Sequence, residues 1–451
     1  MTITIINYKL LPFCLCKSGP SIDTTTMSNV ATKVAVVGGG NIENIAERNG
    51  MNVAVSGAVC ASTLAKNGIS VTLFESARGP GGRMSQRSVS NSDVLRLVHE
   101  WESKGLVEEW KENFGSFDCI SKKFLDIEQE APNKKYVGIP GMNSICKALC
   151  NETGVESKFG VGIGRLECLD DEKWSLTGLD GQNLGRFSGV VVSDKSIASP
   201  RFTDVTGRPP PLDLSLTPEL ALKLQDIPVS PCFALMLAFS EPLSSISVKG
   251  FSFKNSEILS WSHCDSSKPG RSTARHASVE RWVLHSTANY ARGVIAQTGL
   301  QKPSSATLTK VAQELFQEFQ SIGLNIPRPF FMKAHRCFYW LSRVLALLLV
   351  ACNLHNVHDK IDHQDYILAL KLTGNYRLIV RTRGQDSVCL ELKIQGSAFP
   401  TASIAREQKC LWDRKKRLAI CGDFCVSPNV EGAILSGLAA ASKLTEMLSC
   451  L

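Results

Sequence analysis

What the sequence lacks excludes several protein classes. It contains no uninterrupted apolar run of about 20 residues, the length that a membrane-spanning helix needs. No run of roughly five or six basic residues is present, although the net charge is +8, so nucleic-acid binding is not indicated. There is also no internal repeat and no arrangement of Ser, His and Asp or of Cys and His that is typical of a covalent nucleophile. We therefore expect a small-molecule substrate, no nucleic-acid partner and no stable membrane span.

Cysteine is frequent, but its spacing does not indicate a disulfide framework or a metal site. The 16 cysteines include no C-x-x-C pair. No histidine lies at zinc-ligand spacing near the closest pairs, which are Cys14/Cys16, Cys146/Cys150 and Cys421/Cys425. We therefore predict buried free thiols in a reducing compartment and no bound metal.

The composition is that of a folded globular chain. Of the 451 residues, 43% are hydrophobic and 20% are charged, which excludes a mainly disordered, collagen-like or small disulfide-stapled protein. At roughly 150 residues per domain, the length indicates about two to three domains.

Residues 1–32 precede the first clear strand and are predicted to be a disordered leader. No basic segment comes before the apolar patch at Leu10 to Cys16, so a secretory signal is not indicated. The leader is rich in Ser and Thr and has one acid, Asp23, which fits an organelle transit peptide. The alternative to a transit peptide is an unstructured leader without a targeting role, in which case Met27 could be the true start. The compartment stays open between the cytoplasm and an organelle, and secretion is not expected.

A glycine-rich turn follows the first predicted strand. Lys33 to Gly40 reads KVAVVGGG, a β-branched run that ends in glycines, which is typical of a buried parallel strand entering a nucleotide-binding turn. In the motif G-x-G-x-x-G, the first glycine makes the turn and the second lets the backbone approach the pyrophosphate. The third lets the helix pack on the strand. Gly38 and Gly40 supply the first two, but Glu43 stands at the third position.

The remainder of this motif comes later in the chain. Gly57 opens a small-residue helix that is predicted to end at Asn67-Gly68, and Ile69 to Phe74 is a predicted second strand. Glu75 closes that strand, where an acid hydrogen-bonds the ribose hydroxyls of adenosine. The order of elements predicts a βαβ nucleotide-binding unit. Its glycine turn is interrupted by Asn41–Val55, which either loops out or displaces the helix N-terminus.

A family resemblance begins directly after Glu75. Ser76 to Met84 reads SARGPGGRM, and E-x(5)-G-G-R-M after a βαβ unit resembles the FAD-dependent amine oxidase superfamily. Within it, the sequence is most similar to the renalase-like FAD/NAD(P)-binding oxidoreductases. The resemblance implies FAD as the cofactor. The motif residues that would lie near the cofactor are Gly81, Gly82, Arg83 and Met84. The two glycines would offer backbone N–H groups to its phosphates, and Arg83 would offer its planar, charged guanidinium group.

The end of the chain resembles the same family. Arg417 to Gly422 reads RLAICG, a predicted strand, and a helix with the sequence VEGAILSGLAA is predicted from Val430. This is similar to the family's C-terminal flavin motif, in which an Asp binds the ribityl-phosphate region and a helix N-terminus faces the isoalloxazine ring. A helix N-terminus stabilises negative charge, which suits a reduced, anionic flavin. The resemblance implies cofactor contacts for Asp423, Glu431 and Gly432.

Shorter matches lie between the two ends. Tyr136 to Leu149 resembles the family's G-M-x-x-(I/L) segment, which opens a helix near the site. Phe159 to Leu166 resembles the strand whose backbone contacts adenine, with Ile163 as the expected contact. The segment ERWVLHSTANY, within 278–290, resembles a strand of the substrate-domain sheet.

Two further departures from the family pattern accompany the interrupted glycine turn. Only Ser88 to Ser92 separates Arg87 from Asp93, so the family's flavin-facing segment is missing before an amphipathic helix at residues 94–101. The segment 337–395 replaces a short connection. It contains an apolar run, Val344 to Cys352, that predicts a buried or amphipathic helix, and three histidines without a metal-ligand frame, His355, His358 and His363. Because all three changes start or stop abruptly, the chain could be an altered splice or gene-model product of an active parent.

The resemblance implies an α/β fold in which a Rossmann-like FAD-binding domain is interleaved with an α+β substrate domain, as in amine oxidases and renalase-like proteins. We predict the FAD-binding domain at 33–166 and 403–451, the substrate domain at 167–336 and an atypical insertion at 337–395. The implied function is that of an FAD-dependent oxidoreductase, in which hydride passes from an amine or a dihydronicotinamide-type substrate to flavin N5. Oxygen or another acceptor then reoxidises the flavin.

No catalytic base is assigned from the sequence. The candidate pocket residues are His285, His335 and Arg336. The last two are implied by the resemblance to the family's H-R-W motif, whose Trp is missing here, and each histidine could instead be a hydrogen-bonded structural imidazole. A non-catalytic or defective variant of such an enzyme is the alternative function. A dehydrogenase that uses NAD(P) alone is disfavoured by the C-terminal flavin motif.

Overall fold

The computed structural model describes residues 32–38, 55–76, 91–128, 134–198, 203, 207–213, 215, 217–224, 227, 229–271, 279–298, 303–337, 366–373, 375–382, 388–391, 399–400 and 403–449. Several segments discussed above lie outside these residues. They are the leader, most of Asn41–Val55, the run Val344–Cys352 and the three histidines after that run. Five expected cofactor residues also lie outside them, namely Gly40, Gly81, Gly82, Arg83 and Met84.

The helices of the described residues are α1 (Val55–Lys66), α2 (Ser92–Ser103), α3 (Asn143–Cys150), α4 (Pro218–Leu224), α5 (Ala288–Thr298), α6 (Ser305–Ser321), α7 (Asp423–Val426) and α8 (Val430–Leu448). The strands of the first half are β1 (Lys33–Val37), β2 (Ser70–Glu75), β3 (Val107–Glu109), β4 (Phe114–Asp118), β5 (Lys123–Glu128), β6 (Tyr136–Gly138), β7 (Val155–Phe159), β8 (Ile163–Cys168), β9 (Trp174–Gly178), β10 (Asn183–Phe187) and β11 (Gly189–Val192). Those of the second half are β12 (Val229–Ser230), β13 (Cys232–Phe239), β14 (Gly250–Lys254), β15 (Leu259–Cys264), β16 (Glu280–Ser286), β17 (Phe331–Cys337), β18 (Tyr366–Thr373), β19 (Asn375–Thr382), β20 (Val388–Glu391), β21 (Phe399–Pro400), β22 (Leu411–Asp413) and β23 (Leu418–Ile420).

A six-stranded sheet joins strands from the beginning and the end of the chain. Its order is β22-β23-β11-β1-β2-β7, and every pair is parallel except β22 with β23. Val34 and Val36 pack in the cluster that contains α1 and α8, whereas Ala35 and Val37 pack towards β8 and β9 on the other face. Because both faces are covered, the whole of this strand core is apolar. The predicted βαβ unit β1–α1–β2 is confirmed.

The end of α1 is set by local backbone geometry. Gly68 has φ +79° and its N–H donates to Ala65 O at 2.9 Å, while Ile69 N–H donates to Leu64 O at 3.1 Å. This left-handed C-terminal cap favours glycine, which has no Cβ to clash. The predicted stop at Asn67-Gly68 is therefore confirmed.

Helix α8 packs closely along α1 and in the same direction. A Cβ atom on Gly437 would overlap the carbonyl oxygen of Ser56, near the start of α1. Near the other end, Asn67 Nδ2 donates to Thr445 Oγ1 at 3.4 Å. The absence of a side chain at Gly437 therefore lets the tail of the chain approach the nucleotide-binding unit.

A seven-stranded sheet forms the second layer of structure, in the order β17-β13-β16-β15-β14-β4-β5. One of its faces is covered by α5 and α6, with Trp282, Phe251 and Phe319 wholly buried between them. Along β16, residues alternate between buried and half-buried, as expected when only one face packs on a core. The strand expected within ERWVLHSTANY is confirmed as β16.

The chain passes between the two sheets more often than the predicted domain boundaries imply. β4 and β5 lie within 33–166 but pair in the seven-stranded sheet, and β11 lies within 167–336 but pairs beside β1. These pairings join residues that are distant in sequence, so motif order alone does not assign them. The boundaries themselves remain a prediction.

Part of the atypical insertion is extended. The backbones of β18, β19 and β20 form an antiparallel sheet of three strands within 366–391. The two-residue strand β21, after the predicted insertion, then pairs with β12. In the portion of the chain that the structure describes, no helix has both the length and the apolar composition needed to cross a bilayer.

The described cysteines are free thiols and most of them are buried, which confirms that part of the sequence prediction. They are Cys60, Cys119, Cys146, Cys150, Cys168, Cys232, Cys264, Cys410, Cys421 and Cys425. Burial raises the pKa of the Cys410 thiol to about 11 and that of Cys425 to about 12. These groups therefore stay protonated at neutral pH and behave as small apolar side chains.

The α1–α8 contact predicts a stability difference between two identical substitutions. Gly437→Ala should lower the free energy of unfolding by about 2–3 kcal/mol, because its methyl group meets the Ser56 backbone. Gly293→Ala in α5 has open space around its Cβ and should be neutral or stabilising by up to about 1 kcal/mol. Urea denaturation of both variants measures the difference. Equal stabilities would contradict the close packing.

Candidate functional site

Four neighbouring strands end side by side at one edge of the six-stranded sheet. Their registers place Ile420, Val192, Val37 and Phe74 in one row across β23, β11, β1 and β2. The ladder continues beyond the row, because Cys421 N–H donates to Val192 O at 2.9 Å. The residues that follow therefore emerge at a common carboxyl edge, which is where open parallel sheets bind ligands.

Gly38 and Glu75 are in direct contact at this edge. Gly38 N–H donates to Phe74 O at 2.8 Å, and a Cβ atom on Gly38 would overlap Oε2 of Glu75. Glu75 is wholly buried, and its Oε1 accepts from Ser76 Oγ at 3.3 Å. The structure thus brings together the first glycine of the motif and the predicted ribose-binding acid.

Gly57 has the close helix–strand contact that the third glycine of such a turn provides. It lies in the first turn of α1, and a Cβ atom there would be 2.6 Å from Ser193 Oγ and 3.6 Å from Val36 Cγ1. Ser193 is held by its backbone, because its N–H donates to Val37 O at 2.9 Å. The start of α1 therefore lies against the end of β1, even though the interruption separates them in sequence.

Ile163 lies close to the end of β2. The chain turns at Gly160, and Val161 N–H donates to Glu75 O at 3.0 Å. Ile163 is buried and packs in the same cluster as Phe74. The predicted adenine contact and the predicted ribose contact are therefore neighbours.

The C-terminal motif reaches the same edge from the other side. Asp423 opens the short helix α7 directly after β23, and Gly422 N–H donates to Ser436 Oγ of α8 at 3.0 Å. Asn429 caps α8 by accepting from Gly432 N–H at 2.7 Å. A Cβ atom on Gly432 would overlap Ser427, so glycine is required by packing inside the motif itself.

Glu431 has a structural partner that the sequence did not indicate. Its Oε1 accepts from the backbone N–H of Asn91 at 2.7 Å. Asn91 is the N-cap of α2, where its own side chain accepts from Asp93 N–H at 3.0 Å. Glu431 therefore ties the start of α2 to the start of α8.

The two ends of the chain are close enough to contact one ligand. Three strand spacings separate β23 from β2, which places their ends roughly 14 Å apart. Gly437 lies beside Ser56, and it is seven residues into α8 whereas Ser56 is one residue into α1. The N-terminus of α8 therefore extends about six residues, or roughly 9 Å, past the N-terminus of α1. Two helix N-termini, each with a positive partial charge, therefore flank the edge.

These described residues fit an adenine dinucleotide such as FAD. A side chain at Gly38 would overlap the buried carboxylate of Glu75, so only backbone fits there. The N-termini of α1 and α8 carry positive partial charge, which favours a phosphate group or a reduced, anionic flavin. The residues that would hold the adenosine part are Gly38, Glu75 and Ile163. Those that would hold the ribityl-phosphate part and the flavin are Asp423 and the first turn of α8.

The candidate catalytic histidines share one face of the seven-stranded sheet. Ala234 of β13 pairs with His335 of β17 on one side and with His285 of β16 on the other. His285 in turn pairs with Trp261 of β15. Directly paired residues point to the same face, which is the face opposite the α5–α6 core. The backbone of Arg336 pairs with Phe233, and its side chain lies outside the described residues.

A further polar cluster on this sheet was not found from the sequence. His263 of β15 is 9% exposed, and its Nε2 lies 3.0 Å from Lys268 Nζ. Lys268 is equally buried and donates to Asp265 Oδ1 at 3.0 Å. The alternation in LSWSHC places Trp261 and His263 on one face, and that was the available signal. The ion pair with Lys268 depends on the loop that follows β15.

Burial keeps the two neighbouring imidazoles neutral. Burial, together with the Lys268 ammonium, lowers the pKa of His285 to about 4. Burial, Lys268 and His285 hold the pKa of His263 well below its usual range. Burial opposes ionisation of Asp265, but Lys268 and Arg271 outweigh it and lower the pKa of this carboxyl to about 2.

The histidine face is linked to the dinucleotide edge by packing. Met142, just before α3, packs against the cluster of α1 and also against Trp110 and Phe114. Trp261, which is paired with His285, packs in that same small group. The segment that leads into α3 therefore joins the open face of the seven-stranded sheet to the nucleotide-binding unit.

Comparisons with known proteins agree with this architecture. A family model described as an NAD(P)-binding Rossmann-like domain matches residues 55–108. The chain has a Rossmann-like dinucleotide-binding fold. An oxidoreductase from Methanosarcina mazei superimposes with a TM-score of 0.51 at 10% identity, over 90% of this chain and 99% of that one. At this identity the likeness shows the fold alone.

Two further solved structures give lower TM-scores. A probable FAD-dependent monooxygenase, pqsL, from Pseudomonas aeruginosa gives a TM-score of 0.45 at 13% identity, over 93% of this chain and 87% of that one. The p-nitrophenol 4-monooxygenase PnpA from Pseudomonas putida DLL-E4 gives 0.41 at 15% identity, over 68% of each chain.

The lowered imidazole pKa values predict a loss of stability in mild acid. His285 binds its proton near pH 4 in the folded chain but near pH 6.5 when unfolded, so protonation favours the unfolded state between these values. The free energy of unfolding should be unaffected above pH 6.5 and should fall by up to about 3 kcal/mol towards pH 4. Denaturant titrations of the protein and of His285→Gln measure this. A slope that is identical in the variant would contradict the assignment.

Proposed function

We propose that this protein is an FAD-dependent oxidoreductase of the renalase-like type. The proposal is carried by one observation, which is that Gly38, Glu75 and the start of α8 lie on a common edge of the sheet. Residues from the two ends of the chain approach this edge at a separation suited to one extended dinucleotide. The Rossmann-like family match at 55–108 and the fold shared with an oxidoreductase support it.

Different residues of the chain would bind different parts of the cofactor. Glu75 would accept hydrogen bonds from the adenosine ribose, and the N–H groups around Gly38 and the start of α1 would lie beside the phosphates. Asp423 would hold the ribityl-phosphate region. The first turn of α8 would stabilise negative charge on the ring. When bound, FAD accepts a hydride equivalent at N5 and passes electrons to oxygen or another acceptor.

The substrate would be an amine or a dihydronicotinamide-type molecule bound on the histidine face. The protein's part is to orient the donor carbon and to exclude water, because no covalent nucleophile is needed for hydride transfer. His285 and His335 lie on this face, and Met142 connects its packing with that of the nucleotide-binding unit.

Cofactor content tests the proposal against its alternative. Purified protein should show flavin absorbance and should release FAD, identified by mass, when it is denatured by heat. A folded but colourless protein that takes up no added FAD would contradict the proposal. That result would favour the non-catalytic or defective variant. Release of NAD(P) in place of FAD would also contradict it.

Glu75→Gln should weaken FAD binding about 10- to 100-fold, because a charged hydrogen bond of about 1.5–3 kcal/mol is lost. Glu156→Gln on the adjacent strand β7 is the matched control, since that side chain is 53% exposed and pairs with Lys33. Fluorescence titration of both apoproteins with FAD measures the two affinities. Equal affinities would argue against a role for Glu75.

A further inference from the structure

Lys268 is held rigidly below the open face of the seven-stranded sheet. Its ammonium contacts His263 Nε2 and Asp265 Oδ1, each at 3.0 Å, and lies 5.5 Å from the centre of the Trp110 ring. The Trp110 indole N–H donates to Ser267 Oγ at 3.1 Å. An ammonium held on three sides has little freedom to move, so its position relative to the sheet is fixed.

This contact determines the hydrogen-bonding state of His263. An ammonium has three donors and no acceptor, so Nε2 of His263 must accept and Nδ1 must carry the ring proton. Nδ1 is buried and has no hydrogen-bond partner. A donor left unsatisfied in the interior is costly, so a polar group that reached Nδ1 would be stabilised there.

His285 is the other imidazole beside His263. The two ring centres are 6.3 Å apart with their planes at 84°. His285 is half-buried, and its ring makes no hydrogen bond to the residues that the structure describes. A neutral imidazole in this position offers one acceptor nitrogen to a ligand.

The charged groups around His285 are mainly positive. Lys268, Asp265 and Arg271 belong to the loop after β15, and the Arg281 guanidinium donates to Arg271 O at 3.1 Å. By register, Arg281 of β16 and Lys333 of β17 lie on the same face as His285 and His335. Facing positions on β13 are apolar, namely Ala234 and Met236. Asp265 is thus one acidic residue among several basic residues, and its carboxylate is already paired with Lys268.

We propose that His285 contacts the substrate by accepting a hydrogen bond from an uncharged N–H or O–H group, and that Lys268, through His263, is the positioning residue that keeps this site closed to protonated amines. This inference rests on the proposed function and narrows its substrate class. A cation near His285 would be repelled by a fixed ammonium, whereas an amide or hydroxyl donor would not.

Carbethoxylation by diethyl pyrocarbonate tests the site without relying on turnover, because the reagent attacks neutral imidazole. Modification of His285, followed by peptide mass, should persist to well below pH 6 in the protein. In Lys268→Met its pH midpoint should rise by about one unit, because a nearby positive charge is removed. Lys268→Arg should restore the original midpoint. Lys310→Met, an exposed lysine on α6, should leave it unchanged.

Protection experiments test the ligand class with named probes. Millimolar nicotinamide, an uncharged carboxamide, should slow modification of His285 several-fold, and benzylamine, protonated at neutral pH, should not. In Lys268→Met the discrimination between the two probes should shrink. Two results would overturn the proposal. One is protection by benzylamine alone, and the other is a pH midpoint of His285 modification that is the same in Lys268→Met as in the wild-type protein. Neither result depends on bound flavin, so failure here differs from a failure to bind FAD.

Discussion

The parallel pairing of β23 with β11, and of β11 with β1, is the constraint on which the candidate site depends. It brings a strand from the end of the chain into register with the first strand, so that Asp423 and Glu75 emerge at one edge. Close packing of α8 on α1 at Gly437 reinforces this arrangement. Without that register, Asp423 and Glu75 would not lie on a common edge of the sheet.

The two faces of the seven-stranded sheet differ because only one is covered by helices. Trp282 and Leu284 of β16 point into the apolar core under α5 and α6, whereas Arg281 and His285 alternate with them on the other face. Polar groups such as His263 and Lys268 are retained on the open face because they have polar partners there. The imidazoles are kept neutral there by burial and by the Lys268 ammonium.

Sequence reasoning was most successful where structure is local. The spacing of small residues in α1, the glycine cap at Gly68 and the start of α8 all depend on residues a few positions apart. It was less successful for β4 and β5, whose partner β14 lies more than a hundred residues away. It also missed the His263–Lys268 contact, because neither residue type nor spacing distinguishes a buried lysine from an exposed one.

The sequence by itself determined the βαβ unit, the acid at the end of its second strand and the start of the last helix, because each is set by short-range geometry and spacing. The flavin-like character of the tail motif was indicated by its resemblance to a known family. The tertiary structure decided that Gly57 packs on β1 despite the interrupted turn, that Glu431 holds the start of α2, and that His285 lies beside His263 and Lys268. Those contacts arise from strand register and helix packing between distant segments, and that information is not carried by any local pattern of residues.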